Sequence, residues 1–372
     1  MSSISFGSTR RGATLPLTVI VLALMAVAVA ITFTRVSTER SINADRKAQQ
    51  GAFAVAQSGL SRYLATFTTM PNSLGPWPMT TTYNDLPGGT AQIEMQLLRD
   101  STTTMLPAVY VVTSRGRYTA ARRYNSRTPS AERIVASYAL WTPMPFDLNG
   151  AFTSLTGVLQ NGAGSGGLSG IDHCAAAAGG GLPSIPGVAV PTTGGVGAPA
   201  DYGGSTAPID GVPDNAAVAI GTPGAGGTAK DAVGIDWAGI LAGTALHVDN
   251  TAWPGSFSTW PVTKITGDLI LPSSGNGILI VTGNMTINGT PLKQWNGLIL
   301  VGGNLISNGA VNIYGAIITG LNLKTGGAVG VQSVGNGTKN YQYDSCALNR
   351  ALGHVGYMQR VRNGWTDTWS SY

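Results

Sequence analysis

The residues able to do chemistry are few and scattered. His173, His247 and His354 lie far apart, and the run His247-Val248-Asp249 is only a slight metal-ligand hint, with no second ligand pair beside it. Glycoside hydrolysis needs paired carboxylates facing one groove. Within residues 262–332 the acid available is Asp268, and the bases are Lys264, Lys293 and Lys324. An acid from upstream, Asp231, Asp236 or Asp249, would have to be brought across. The Gly-x-Gly patterns between residues 150 and 232 follow no apolar strand and open no helix, so they do not make a phosphate-binding loop. No catalytic residue, cofactor or metal ligand is assigned from these residues.

Two cysteines remain, Cys174 and Cys346. In an exported protein they would form one long-range disulfide, worth on the order of 4–5 kcal/mol in the chain-entropy model. Two buried free thiols are the other reading.

The elements that carry these residues have an unusual composition. Charged residues make up 10% of the 372, and there are 52 glycines. That balance suits an extracytoplasmic chain rich in strands and turns rather than a cytosolic helical enzyme. Charge is also uneven. Residues 1–141 carry 14 Lys/Arg against 6 Asp/Glu, a net +8, and residues 142–372 carry 8 against 11, a net −3. Arg115, Arg117, Arg122, Arg123, Arg127 and Arg133 contribute much of the excess. They could meet phosphate or lipid headgroups, but a solvated sheet edge is the commoner use of such a cluster. Nucleic acid is not expected as a partner.

From Ala13 to Thr34 there is no charge. A helix of those 22 residues is about 33 Å long, enough for a bilayer core of about 30 Å. Arg10 and Arg11 precede it, and Arg35, Glu39 and Arg40 follow, so flanking charge leaves its orientation open. Pro16 falls in the first turn of a helix starting at Ala13, where it costs little. Ile42, Phe53, Ala56, Leu60, Leu64 and Phe67, with Ala44, Ala48 and Ala52, then make one apolar stripe. The spacing predicts one helix from about Ala13 to about Phe67, apolar all round in its first half and two-faced in its second.

This N-terminus resembles that of PilX-type minor pilins, accessory subunits of type IV pili. The likeness rests on Arg-Gly before a small residue, the apolar run, and "TERSINADRKAQQGAFAVAQSGLSRYL", over about residues 9–70. It implies a leader (1–12) cut by a prepilin peptidase between Gly12 and Ala13, methylation of Ala13, and other pilins as partners. It also implies a single pass through the inner membrane with a periplasmic head, which reaches the cell surface once assembled in a pilus. Major pilins carry Glu at the fifth mature position. Here that position is Leu17, which points to a subunit that primes or caps a filament. A plain secretory signal is the alternative, since "AVAVAIT" has small-x-small spacing near Ala28 and Ala30.

Residues 13–70 are thus the pilin helix, and 71–149 read as a small antiparallel β region from alternation in "GGTAQIEMQLLRD", "PAVYVVTSRGRYTA" and "AERIVASYALW". Residues 150–256 form a Gly/Pro-rich excursion, either a linker or an ordered layer. Residues 257–340 hold a repeat. "GILIVTGNMTINGT", "GLILVGGNLISNGA" and "GAIITGLNLKTGGA" start at Gly277, Gly297 and Gly315, offset by 20 and 18 residues. Such a period suggests a parallel β-solenoid, with Asn304, Asn308 and Asn312 at its corners. Residues 341–372 would cap it, with Trp365 and Trp369 packed on its end. The expected fold class is α+β: a long pilin-like N-terminal helix, a small antiparallel sheet and a C-terminal parallel β-solenoid. The expected role is a non-catalytic minor pilin or pseudopilin-like subunit. A Sec-exported solenoid adhesin and a carbohydrate-active β-helix enzyme are the alternatives.

Overall fold

The computed structural model describes residues 14–71, 76–100, 107–119, 130–144, 146–161, 167–174, 181–191, 202–204, 209–212, 217–221, 232–330 and 333–367. Helix α1 (Thr14–Leu64) is continuous over 51 residues, about 76 Å at the α-helical rise. Its second half lies on an antiparallel sheet of β1 (Met79–Leu86), β2 (Gly89–Arg99), β3 (Val109–Thr119) and β4 (Ser130–Pro143). Ala48, Ala52, Ala56, Leu60 and Leu64 are buried there with Ile93, Met95, Tyr110, Val112 and Trp141.

The sheet can come this close because β3 carries a glycine under the helix. A Cβ on Gly116 would stand 2.4 Å from the Ala52 carbonyl oxygen and 2.5 Å from the Ala56 nitrogen. One turn away, the Ser114 hydroxyl donates to the Ala56 carbonyl (2.7 Å). Helix backbone and sheet backbone are therefore in direct contact.

The chain then leaves this sheet. Short strands follow: β5 (Phe152–Ser154), β6 (Val158–Asn161), β7 (Leu168–Ser169), β8 (Val188–Val190), β9 (Tyr202–Gly204), β10 (Ile209–Asp210) and β11 (Val218–Ala219). After helix α2 (Trp237–Ala242) come β12 (Val262–Ile265), β13 (Leu269–Ile270), β14 (Gly275–Val281), β15 (Met285–Asn288), β16 (Lys293–Val301), β17 (Leu305–Asn308) and β18 (Val311–Thr319). β19 (Ser333–Asn336), β20 (Lys339–Gln342), helix α3 (Ser345–Gly353) and β21 (Gly356–Asp367) complete the chain. β21 pairs antiparallel with β4, so the sheet order is β1-β2-β3-β4-β21. Everything from β5 to α3 is inserted between two neighbouring strands of the helix-bearing sheet.

The inserted body corrects the solenoid expected over 257–340. Among the described residues there are two facing parallel sheets and no closed coil. β12-β14-β16-β18 run side by side in one sheet and β13-β15-β17-β19 in the other. The repeat unit holds only two strand runs, so it builds two faces. Its stacking order also breaks after β18. Residues Val311–Tyr314 of β18 pair with β20, and Ile317–Thr319 pair with β5. β6 continues the second sheet beside β19. The glycine-rich residues therefore supply strands to both sheets, and the overall class is α+β.

The repeat starts have a structural meaning. Gly277, Gly297 and Gly315 stand opposite one another in adjacent strands, at φ of 111°, 122° and 136°. A Cβ on Gly297 would lie 2.4 Å from the Gly277 carbonyl oxygen, and one on Gly315 would lie 1.9 Å from that of Gly297. The corners are laced by side chains. The Asn284 amide donates to Asp268 Oδ1 (2.7 Å), the Asn304 amide to Asn284 Oδ1 (2.9 Å), and the Thr156 hydroxyl to Asn304 Oδ1 (2.9 Å). Asn308 belongs to a second ladder, between Asn288 and Asn336. Asn312, expected at a corner, is within β18.

The tail also departs from expectation. Trp365 lies 6.1 Å from Phe53 of α1, in the helix-bearing sheet and not on an end of the parallel sheets. Trp369 lies outside the described residues. Gly297→Ala should lower stability by about 3 kcal/mol, since it adds strain at a left-handed φ to a backbone clash. Gly353→Ala, with nothing within 4 Å, should leave thermal unfolding unchanged.

Candidate functional site

The first half of α1 is a continuous exposed apolar surface. Leu17, Leu22, Val29 and Phe33 are 64%, 65%, 68% and 74% exposed. Two of its hydroxyls are satisfied within the helix: Thr32 donates to the Ala28 carbonyl and Thr34 to that of Ile31. The helix is long and apolar enough to cross a membrane, where every polar group must find its partner internally. Leu17 stands near its start. Gly12 and Ala13 lie outside the described residues.

The arginines placed near β3 and β4 are largely occupied. Arg115 and Arg117 both bind Glu132, at 2.8 and 2.6 Å, and Arg133 pairs with Asp367. Arg122, Arg123 and Arg127 lie outside the described residues.

The histidines that look isolated in sequence are not isolated in space. His354, just after α3, meets Asp249 at 2.9 Å, and His247 approaches the same carboxylate at 3.6 Å. Asp249 also accepts from the Val262 amide (2.7 Å). This cluster clasps the β12 edge to the C-terminal turn, and no group of three His, Cys, Asp or Glu arranged to hold a metal ion occurs among the described residues. Asp236 caps α2 by accepting from the Gly239 amide, Asp268 holds the first corner, and Asp231 lies outside the described residues. Lys264 is turned to the Ile240 and Leu241 carbonyls, Lys324 to that of Val233 and Lys293 to that of Pro272.

Cys174 and Cys346 are joined in a disulfide, with Cα atoms 5.3 Å apart and a separation of 172 in sequence. Asp172 braces it. Its Oδ1 accepts from the Cys174 and Ser345 amides, and its Oδ2 from the Leu182 amide and the Ser345 hydroxyl. Burial works to raise the Asp172 carboxyl, but these donors outweigh it and hold the carboxyl below its ordinary range. The signal was present in the sequence: each cysteine follows an aspartate by two residues, and Asp344 caps α3 through the Ala347 amide.

One buried cluster had no sequence signal. Lys339 is 2% exposed between the two parallel sheets. It shares a small enclosed space with Ser307, Ser333 and Tyr341. The Tyr341 and Ser307 hydroxyls lack a well-formed partner there. Burial lowers the Lys339 ammonium to about 8.

No family model and no curated protein sequence matches the chain. Among solved structures, the crystal structure of the competence-associated pilin ComZ from Thermus thermophilus matches at 11% identity. The alignment covers 85% of this chain and 96% of that one, with a TM-score of 0.23, which does not establish a common fold.

Two outcomes are expected. Reduction of the disulfide, or Cys346→Ala, should lower stability by roughly 4–5 kcal/mol in the chain-entropy model, read as a lower melting temperature. Lys339→Met should be more stable than the natural chain at pH 7, on the order of 1–2 kcal/mol after allowing for screening. Because the folded lysine titrates at about 8 against an ordinary 10.5, the unfolded chain holds more protons across that window. The natural chain therefore gains stability as pH rises through it, and the gap in melting temperature should narrow from pH 7 to pH 10.

Proposed function

We propose that this protein is a membrane-anchored minor pilin or pseudopilin-like subunit, non-catalytic, that primes or caps a type IV pilus-like filament. One observation carries the reading. A single unbroken helix is bare and apolar in its first half, and in its second half it is covered by an antiparallel sheet of the same chain. The bare half can sit in lipid, then exchange lipid for the packed helices of neighbouring subunits. That exchange is nearly neutral in hydrophobic terms, so side-chain packing and the charges near the helix start decide where a subunit goes.

Leu17 bears on position. In a filament whose subunits neutralise a neighbour's amine with a glutamate, a subunit with leucine there leaves that amine unpaired in an apolar core. The first or last place in the filament avoids the cost. The PilX-type likeness of residues 9–70 fits such an accessory subunit, with other pilins, the inner membrane and a prepilin peptidase as partners. The parallel-sheet body is then held on the periplasmic side, and at the cell surface once assembled, for adhesion or partner binding.

Mass spectrometry of the N-terminal peptide from membranes tests this reading. A methylated Ala13 is the expected start. A start between Ala28 and Thr32, in protein released by alkaline washing, would overturn it, because the helix would then have been cut within its apolar half.

A further inference from the structure

The outward face of the larger parallel sheet changes character at the glycine column. Toward the strand C-termini it is apolar, and Ile278, Ile280, Leu298, Leu300, Ala316 and Ile318 are buried with side chains of α2 and α3. On the other side of the glycines the same face is polar. Gln294 stands opposite Asn312, and Asn312 opposite Asn340. One step along, Asn276 faces Asn296, Asn296 faces Tyr314, and Tyr314 faces Gln342. Two rows of amides and one phenol thus cross adjacent parallel strands at the usual spacing of about 4.8 Å.

These side chains are half-buried. Gln294 donates to Asn296 (3.1 Å) and Asn276 to the Phe257 carbonyl (2.7 Å). The amides of Asn312, Asn340 and Gln342 make no side-chain hydrogen bond among the described residues. His173, exposed, lies stacked on the Tyr314 ring, centroids 4.9 Å apart and planes at 24°. The His173 amide donates to the Tyr343 carbonyl (2.9 Å), and the disulfide begins at the next residue, so the ring is held in place.

We propose that this face is a carbohydrate-binding surface for an extended, uncharged polysaccharide lying across β14, β16, β18 and β20. Each free amide offers both a donor and an acceptor, which is what a sugar hydroxyl requires. Similar groups repeated at a fixed spacing suit a polymer of similar units. The flat His173 ring gives a sugar's C–H face a platform. Charge decides against the competing partners. Neither row contains a cation, Lys293 is turned to a carbonyl, and Lys339 is buried between the sheets, so a nucleic acid or acidic polymer has nothing to neutralise it. The rows also lack the apolar area that a lipid or hydrophobic peptide would need. The inference deepens the display role proposed above and rests on the body lying outside the membrane.

The test is calorimetric titration of the full chain in detergent micelles with cellohexaose, maltohexaose and mannohexaose, with alginate and double-stranded DNA as charged comparators. Binding to at least one uncharged oligosaccharide is expected. The affinity should fall tenfold or more in the Asn312→Ala/Asn340→Ala double variant, with an unchanged melting temperature, and should also fall in His173→Ala. No binding to any of the three, equal binding by the double variant, or binding confined to alginate or DNA would overturn the proposal. The N-terminal peptide from the same preparation separates the two ideas: a methylated Ala13 with no sugar binding sinks the surface and leaves the subunit reading intact.

Discussion

The pairing of β4 with β21 holds the molecule together. The chain leaves the helix-bearing sheet at Pro143 and returns opposite it at Gly356. Around that neck the Met144 amide donates to the Val355 carbonyl, the Met70 amide to the His354 carbonyl, and the Trp141 indole to the Gly353 carbonyl. A side chain at Gly356 would meet the Thr142 carbonyl oxygen at 2.2 Å. About 200 residues of parallel-sheet body are therefore fastened through two strand ends lying side by side.

The two parts are built on different principles. α1 meets its sheet backbone to backbone at Gly116, and the apolar surface of its first half stays bare. The body instead buries its apolar residues within itself, in one core between the parallel sheets and another under α2 and α3. Its stability draws on side-chain ladders at the corners and on the disulfide braced by Asp172. A chain with few charges and many glycines can do this, because corner amides and backbone groups satisfy one another where long polar side chains are scarce.

Much of α1 was legible, because an uncharged run followed by small residues at helical spacing has few other solutions. The repeat was legible too, since Gly277, Gly297 and Gly315 recur where only glycine fits. Its closure was not. A period near 20 residues specifies parallel strands in register, but not that residues 152–161 will complete the layer beyond β18 and β19. β21 is not legible in the sequence because its alternation is interrupted by a register shift between Arg360 and Trp365, with Asn363 at φ 59°. The Asp249–His354 contact joins residues 105 apart and Asp172–Ser345 joins residues 173 apart. Neither leaves a local periodicity to find.

The side-by-side neck has a mechanical consequence. A load applied to the body reaches β4 and β21 from the same end and in the same direction. It does not slide one strand past the other, so their mutual hydrogen bonds are spared. Tension passes instead to the seam between β4 and β3 and to the contact of Gly116 with the helix, the most closely fitted joint between the sheet and the rod that carries it.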